Sequence, residues 1–258
     1  MNKKILLCIF VFSLLSTSCF YKEVGTVTHV RGFNHRVIFD CDIAWVEAFR
    51  SVPADCPQSV VNNLTLAEVY YYSFDGKIHR GQVLVDYRLA DDVQQVFKTA
   101  LEVRFPMYGV IPIDHSSYDW NNFFIKPSGN TYSFHYRNIV LREDKLSLHA
   151  TGQAIDINPV LNPFRKWGRI FPPDGTYKPE LPGTLYRGHP VVEAFENLGW
   201  KWGGDWRPGD YMHFQKPIDP SLDIQVAKNP HIVNWPFETY YDTQENRYYY
   251  SRGKKKGE

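Results

Sequence analysis

Four side chains able to bind or activate a cation fall in two short stretches of this sequence. His149 and Asp156 lie in Ser147-Leu148-His149-Ala150-Thr151-Gly152-Gln153-Ala154-Ile155-Asp156, and Asp210 and His213 in Asp210-Tyr211-Met212-His213. For the four to act together, the chain must reverse between His149 and Asp156 and bring the second stretch alongside. Gly152 permits a tight turn at that point. From Gly152 to Asn158 the residues then alternate as a strand does, with Gln153, Ile155 and Ile157 on one face and Ala154, Asp156 and Asn158 on the other. Asp156 is thereby set opposite two isoleucines.

Zinc in hydrolases takes a set of this kind, N and O ligands from three residues plus a position open to water, which the metal acidifies toward neutral pH. The spacing assigns His149, Asp156 and His213 as zinc ligands. Asp210, which precedes His213 by three residues (213 − 210), can reach water beside the metal without binding the ion. It is the candidate general base, later passing the proton to the leaving amine. Ser147 has no G-x-S-x-G context and reads as a positioning residue rather than a nucleophile. H-E-x-x-H is absent, which counts against a zinc protease of ordinary proteins. Spacing alone leaves room for structural histidines at His149 and His213; the surrounding motifs narrow the choice.

Ser147-x-His149-x-x-Gly152-x-Ala154-x-Asp156, Gly199-Trp200-x-Trp202-Gly203-Gly204-Asp205-Trp206 and Asp210-x-x-His213-Phe214 follow one another in order. Together they resemble the zinc D-alanyl-D-alanine carboxypeptidase and L-alanyl-D-glutamate endopeptidase family, over roughly Gly76 to Gln215. The resemblance implies an α+β chain with the hedgehog-like DD-peptidase fold, a small antiparallel sheet and flanking helices around a zinc site. It also implies hydrolysis of peptide bonds in peptidoglycan stem peptides. The family's ligands map onto His149, Asp156 and His213, and its acidic catalytic residue onto Asp210, where aspartate suits the endopeptidase branch better than the carboxypeptidase one. Tyr136-Arg137-Asn138 stands where the family carries an arginine that holds the substrate carbonyl and the developing oxyanion, so Arg137 is the candidate for that role. The rival function is a non-catalytic, zinc-stabilised cell-wall-binding lipoprotein, which would have no use for Asp210.

A chain of 258 residues, 43% hydrophobic and 22% charged, can bury one substantial core. Its net charge of +1 gives no reason to expect a nucleic-acid partner, and a monomer is expected. Residues 1–18 read as a signal peptide, with Lys3 and Lys4, an apolar run from Ile5 to Leu15 too short to span a bilayer, and small residues before Cys19. Leu14 to Cys19 also resembles a lipobox, although Ser16 stands where leucine is usual. The expected location is therefore exported, periplasmic or at the cell surface, with membrane attachment through a lipidated Cys19 as one route. Cys41 and Cys56 favour a disulfide in that compartment, with two buried thiols as the alternative.

The expected organisation is an irregular N-terminal extension over 19–75, a zinc peptidase domain over 76–220, and a C-terminal extension with a basic tail over 221–258. Within it, residues 82–87 read as a half-buried strand, and a helix follows in which Val93, Val96, Phe97, Ala100 and Leu101 share a face. A second helix runs from Pro190 to Leu198 with Gly199 as its cap and His189 at its start. The proline- and glycine-rich stretch from Asn162 to Gly188 reads as a loop. Trp200 and Trp202 suit core packing, Asp205 suits the turn after Gly203-Gly204, and His135 lacks ligand spacing.

Overall fold

The computed structural model of the chain describes residues 37–41, 43, 48, 49, 52–112, 129–140, 142–219, 237–242 and 247–252. The expected signal peptide and Cys19 lie outside them. Among the described residues no helix is long and apolar enough to cross a membrane.

The largest sheet has the order β1-β3-β2-β4, from Ile38–Phe39 (β1), Leu64–Ser73 (β2), Ile78–Asp86 (β3) and Pro106–Met107 (β4). β2 and β3 pair antiparallel from Leu64↔Asp86 to Tyr72↔Ile78, while β1 joins β3 and β4 joins β2 in parallel. β2 comes from the stretch expected to be irregular. Thr65, Ala67, Val69, Tyr71 and Ser73 alternate inward along it. Its outward positions include Leu66, Tyr70 and Tyr72, which are bulky and partly covered, so the period is masked in the sequence. The sheet thus reaches back across the boundary expected near residue 75.

β3 is buried on both faces rather than one. Val83 and Val85 enter the principal core, and Leu84 on the other side joins a second cluster with Leu64, Phe49, Val52, Cys56 and Phe134. The short helix Gln58–Val61 (α1) belongs to that second layer. Cys41 and Cys56 are both buried and neither is in a disulfide, contrary to the pairing the sequence favours. Cys56 is spent on packing instead, and burial, with the Asp55 charge, pushes its thiol up to about 12.

The helix Ala90–Glu102 (α2) buries the five apolar residues expected of it and packs on β2. Asp91 and Asp92 occupy its first turn, where the helix dipole favours acid. Asp92 also accepts from Trp200 Nε1 at 2.9 Å and from Lys216 Nζ at 2.7 Å, tying the helix to the far side of the core. Short strands follow: Gly109–Val110 (β5) pairs with Asn130–Thr131 (β6), and Asn138–Ile139 (β7) with Arg142–Leu146 (β8). Ala154–Asp156 (β9) comes next. The stretch after it is largely irregular, as expected, but contains a hairpin of Phe164–Lys166 (β10) and Arg169–Phe171 (β11), closed by the stacked rings of Phe164 and Phe171.

The helix Pro190–Asn197 (α3) starts with proline in its first turn and His189 as N-cap, the ring Nδ1 accepting from the Val191 N–H at 3.1 Å. It packs on α2 and buries Val191, Val192 and Phe195. Lys201–Trp202 (β12), His213–Gln215 (β13) and β9 make an antiparallel sheet of order β12-β13-β9. Trp200, Trp202, Ile155, Ile157 and Phe214 join α2 and α3 in the principal core. Phe237–Asp242 (β14) and Arg247–Arg252 (β15) form a further hairpin. The whole is a mixed α+β arrangement of small sheets and few helices.

Gly152 carries φ 67°, and a Cβ there would lie 2.5 Å from the Asp86 amide nitrogen and 2.7 Å from Leu64 Cδ2. Gly152→Ala therefore meets backbone strain and a clash with β3 together, and is expected to destabilise the protein by roughly 1–3 kcal/mol. A urea midpoint unchanged from wild type would contradict this.

Candidate metal centre

The turn Leu148–Thr151 is a 3-10 helix whose N-cap, Ser147, accepts from the His149 N–H at 3.2 Å. Gly152 then reverses the chain into β9, and the β9–β13 register places Asp156 directly across from His213. The three expected ligands converge. Asp156 Oδ1 lies 3.1 Å from His149 Nε2 and 3.0 Å from His213 Nδ1, and the two nitrogens are 3.1 Å apart. All three residues are buried, at 1%, 4% and 8% exposure for His149, Asp156 and His213.

What surrounds the triangle decides which atoms face into it. His149 Nδ1–H donates to the Ser133 carbonyl at 2.6 Å, and His213 Nε2–H donates to Gln215 Oε1 at 3.1 Å. With its outer nitrogen so engaged, each ring presents its inner nitrogen to Asp156 Oδ1, as a donor when the ring is charged and as a lone pair when it is neutral, and the other carboxylate oxygen accepts from Tyr132 O–H at 2.7 Å. Outer bonds of this sort fix the tautomer and orientation of metal-binding histidines. With both rings neutral, three acceptors packed this closely repel one another unless a cation lies among them. A tetrahedral zinc with bonds of about 2.0–2.2 Å spaces its ligand atoms about 3.3 Å apart, so the donor set fits that ion in chemistry and in spacing.

The electrostatics favour positive charge here. Burial pushes the Asp156 carboxyl up, but the charge and hydrogen bonds of His149 and His213 more than offset it and hold the group well below the usual carboxylate range. Burial lowers His149, with Asp156 opposing. At His213 the same burial is overcome by the Asp156 hydrogen bond and charge, and its pKa rises.

Asp210 is positioned by Gly203, whose carbonyl accepts the Asp210 N–H at 2.9 Å, and a Cβ on Gly203 would lie 2.5 Å from the Asp210 carbonyl oxygen. Asp210 Oδ1 is buried without a hydrogen-bond partner among the described residues. Burial raises the carboxyl to about 7, with the Asp156 charge adding to it and His213 and Arg137 working against it. Asp210 and the three ligands line a cavity of ≈ 620 Å³ together with Arg137, Lys166 and Trp206. Arg137 donates from Nε to His135 Nδ1 at 3.3 Å. Burial, then the charges of Arg137 and His149, holds His135 neutral, well below its ordinary pKa. His135 is thus no ligand but an acceptor that orients the arginine.

The sequence reading does not anticipate Tyr132, Ser133 or Gln215. Gln215 could have been found from the strand period, two residues on from His213 on the same face. Tyr132 and Ser133 reach the site through the Tyr132↔Asp156 bridge, which has no local signal. Asp205, expected to serve the turn, sits in a 3-10 turn over Gly203–Asp205 but pairs through its carboxylate with Arg187.

Residues 142–216 match the model of a D-alanyl-D-alanine carboxypeptidase family. The matched segment contains His149, Asp156, Asp210 and His213, while Arg137, β2, β3 and α2 precede it. No curated protein and no solved structure matches the chain.

Proposed function

We propose that this chain, whose residues 142–216 match a D-alanyl-D-alanine carboxypeptidase family, is a zinc-dependent peptidase of peptidoglycan stem peptides, of the L-Ala-D-Glu endopeptidase or D-Ala-D-Ala carboxypeptidase type. The observation that carries the proposal is Asp210: a buried carboxyl with an unpartnered oxygen and a pKa of about 7, in the same cavity as three converging metal-type donors. A protein that only binds the wall has no need of such a base. The hedgehog-like DD-peptidase fold and an exported location, with or without lipid on Cys19, belong to the same proposal.

His149, Asp156 and His213 would hold the zinc. Bound there, the ion supplies Lewis acidity, lowering the pKa of water and polarising a carbonyl oxygen. Asp210 takes the proton from the attacking water and returns it to the leaving amine nitrogen; a pKa near neutrality serves both transfers. The Arg137 guanidinium, set by His135, offers its N–H groups to the carbonyl oxygen as negative charge develops on it. Tyr132, Ser133 and Gln215 keep the ligand atoms aimed inward. No covalent acyl intermediate is needed, which agrees with the capping role of Ser147.

Purified protein incubated with muropeptides and zinc is expected to cut stem peptides, and a chelator to stop it. Mass spectrometry of the products identifies the bond. Identical product profiles with and without chelator would refute the proposal.

A further inference from the structure

The β10–β11 hairpin is both a wall of the cavity and a brace for Asp210. Arg165 N–H donates to the Gly209 carbonyl at 3.0 Å, and Phe164 forms a β-bridge with Asp210. Alternation along β10 puts Phe164 and Lys166 into the cavity lining, while Arg165 turns away onto the rings of Tyr177 and Tyr211. Lys166 pairs directly with Arg169, so the connection is the dipeptide Trp167-Gly168, with φ 50° and 73°. Two-residue turns with positive φ at both positions take Asn or Gly, and a bulky residue there is an outlier.

Packing gives no return for this strain, because Trp167 is 77% exposed. Backbone held in a disfavoured region without a packing gain points to function. The indole face does have a neighbour: the Lys166 ammonium lies 4.4 Å from the ring centroid. Neither Lys166 nor Arg207, which also lines the cavity, pairs with a carboxylate among the described residues. The carboxylates that do line the cavity, Asp156 and Asp210, are committed to the metal centre and to the base. The cationic side chains of the rim are therefore left to face whatever enters.

We propose that Lys166 and Arg207 form a subsite for a substrate carboxylate, with Trp167 as the positioning residue that holds the Lys166 ammonium in place. The peptide taken is then an anionic one, with a free carboxylate that this rim reads. This deepens the peptidase reading and rests on it. Trp167 tolerates its strained backbone because the ring is needed beside Lys166.

The test compares a stem peptide bearing its free carboxylates with the same peptide converted to carboxamides, using the zinc-loaded full chain and measuring Kd by calorimetry and KM by cleavage. Wild type is expected to favour the acid form by about tenfold or more, as loss of a charge-assisted hydrogen bond implies. In Lys166→Gln and in Arg207→Gln that preference is expected to shrink to a few-fold or less. Trp167→Gly gives the turn a residue it accepts, so Tm should not fall, yet discrimination between acid and amide should weaken. Equal Kd for the two peptides in wild type, or a preference untouched by the variants, overturns the subsite; if both peptides are still cut, the peptidase reading stands. Cleavage of neither peptide, with the preference intact in Kd, overturns the peptidase reading and leaves the subsite standing.

Discussion

Asp210→Asn is expected to lower kcat by a factor on the order of 10²–10⁴ while leaving bound zinc unchanged. Asparagine keeps the shape of the side chain but accepts no proton, and Asp210 is not among the clustered donors that would hold the metal. A bound cation stabilises the carboxylate, so in the loaded enzyme the acid limb of kcat/KM should fall at or below about 7 and vanish in the variant. Stability of the metal-free protein should move the other way. The folded state keeps Asp210 protonated up to about 7, against an ordinary value of 3.8, so it binds more protons than the unfolded chain between those pH values. For such a raised pKa the stabilisation is fully present below the unfolded value and is lost as pH rises through the folded one. Asparagine does not ionise, so metal-free Asp210→Asn should match wild type at pH 3.5 and have the higher Tm at pH 8. An inactive variant less stable than wild type at pH 8 would mean that Asp210 is a structural anion instead.

Asp156→Ala is expected to remove zinc binding, and with it all peptide hydrolysis. The variant loses the oxygen that meets both imidazoles and the acceptor of the Tyr132 hydroxyl. In wild type, free zinc at one hundred times its Kd should add about 2.7 kcal/mol to folding stability, roughly 5–10 °C in Tm for a chain of this size. The variant should show no zinc-dependent shift. Calorimetric scans at several zinc concentrations check this, and a retained shift would mean that another donor set holds the metal.

The approach of His149 to Asp156 was legible because its clues are local, whereas His213 joined them through the ordered motifs that resemble a known family. Gly152 permits the reversal, Ile155 and Ile157 declare which face of β9 is buried, and Asp156 must then point the other way. α2 and α3 were legible for the same reason, since an apolar stripe and end caps are written into consecutive residues. β2 was hidden because its outward face is mostly bulky and partly covered. That face lies under the layer formed by residues 48, 49 and 52–61 on one side and beside Ile78 and Leu101 on the other, so Glu68 alone of the outward positions marks the alternation with a charge. The β10–β11 hairpin was hidden because Trp167 occupies a turn position that the rules reserve for small residues. Partners such as Tyr132, or Arg187 for Asp205, are set by which segments meet in space, and nothing in either segment alone records the meeting.

The ties that Asp92 makes to Trp200 and Lys216 bear on how the family-matched segment could be moved between proteins. The segment 142–216 holds the candidate metal donors and Asp210, yet Val191, Val192, Phe195 and Phe214 share one core with side chains of α2, β2 and β3, which all precede it. Excised alone, that segment would present a raw hydrophobic face to water and would be prone to aggregate rather than to fold. The smallest portable piece therefore begins no later than Leu64 and carries its sheet and long helix with it.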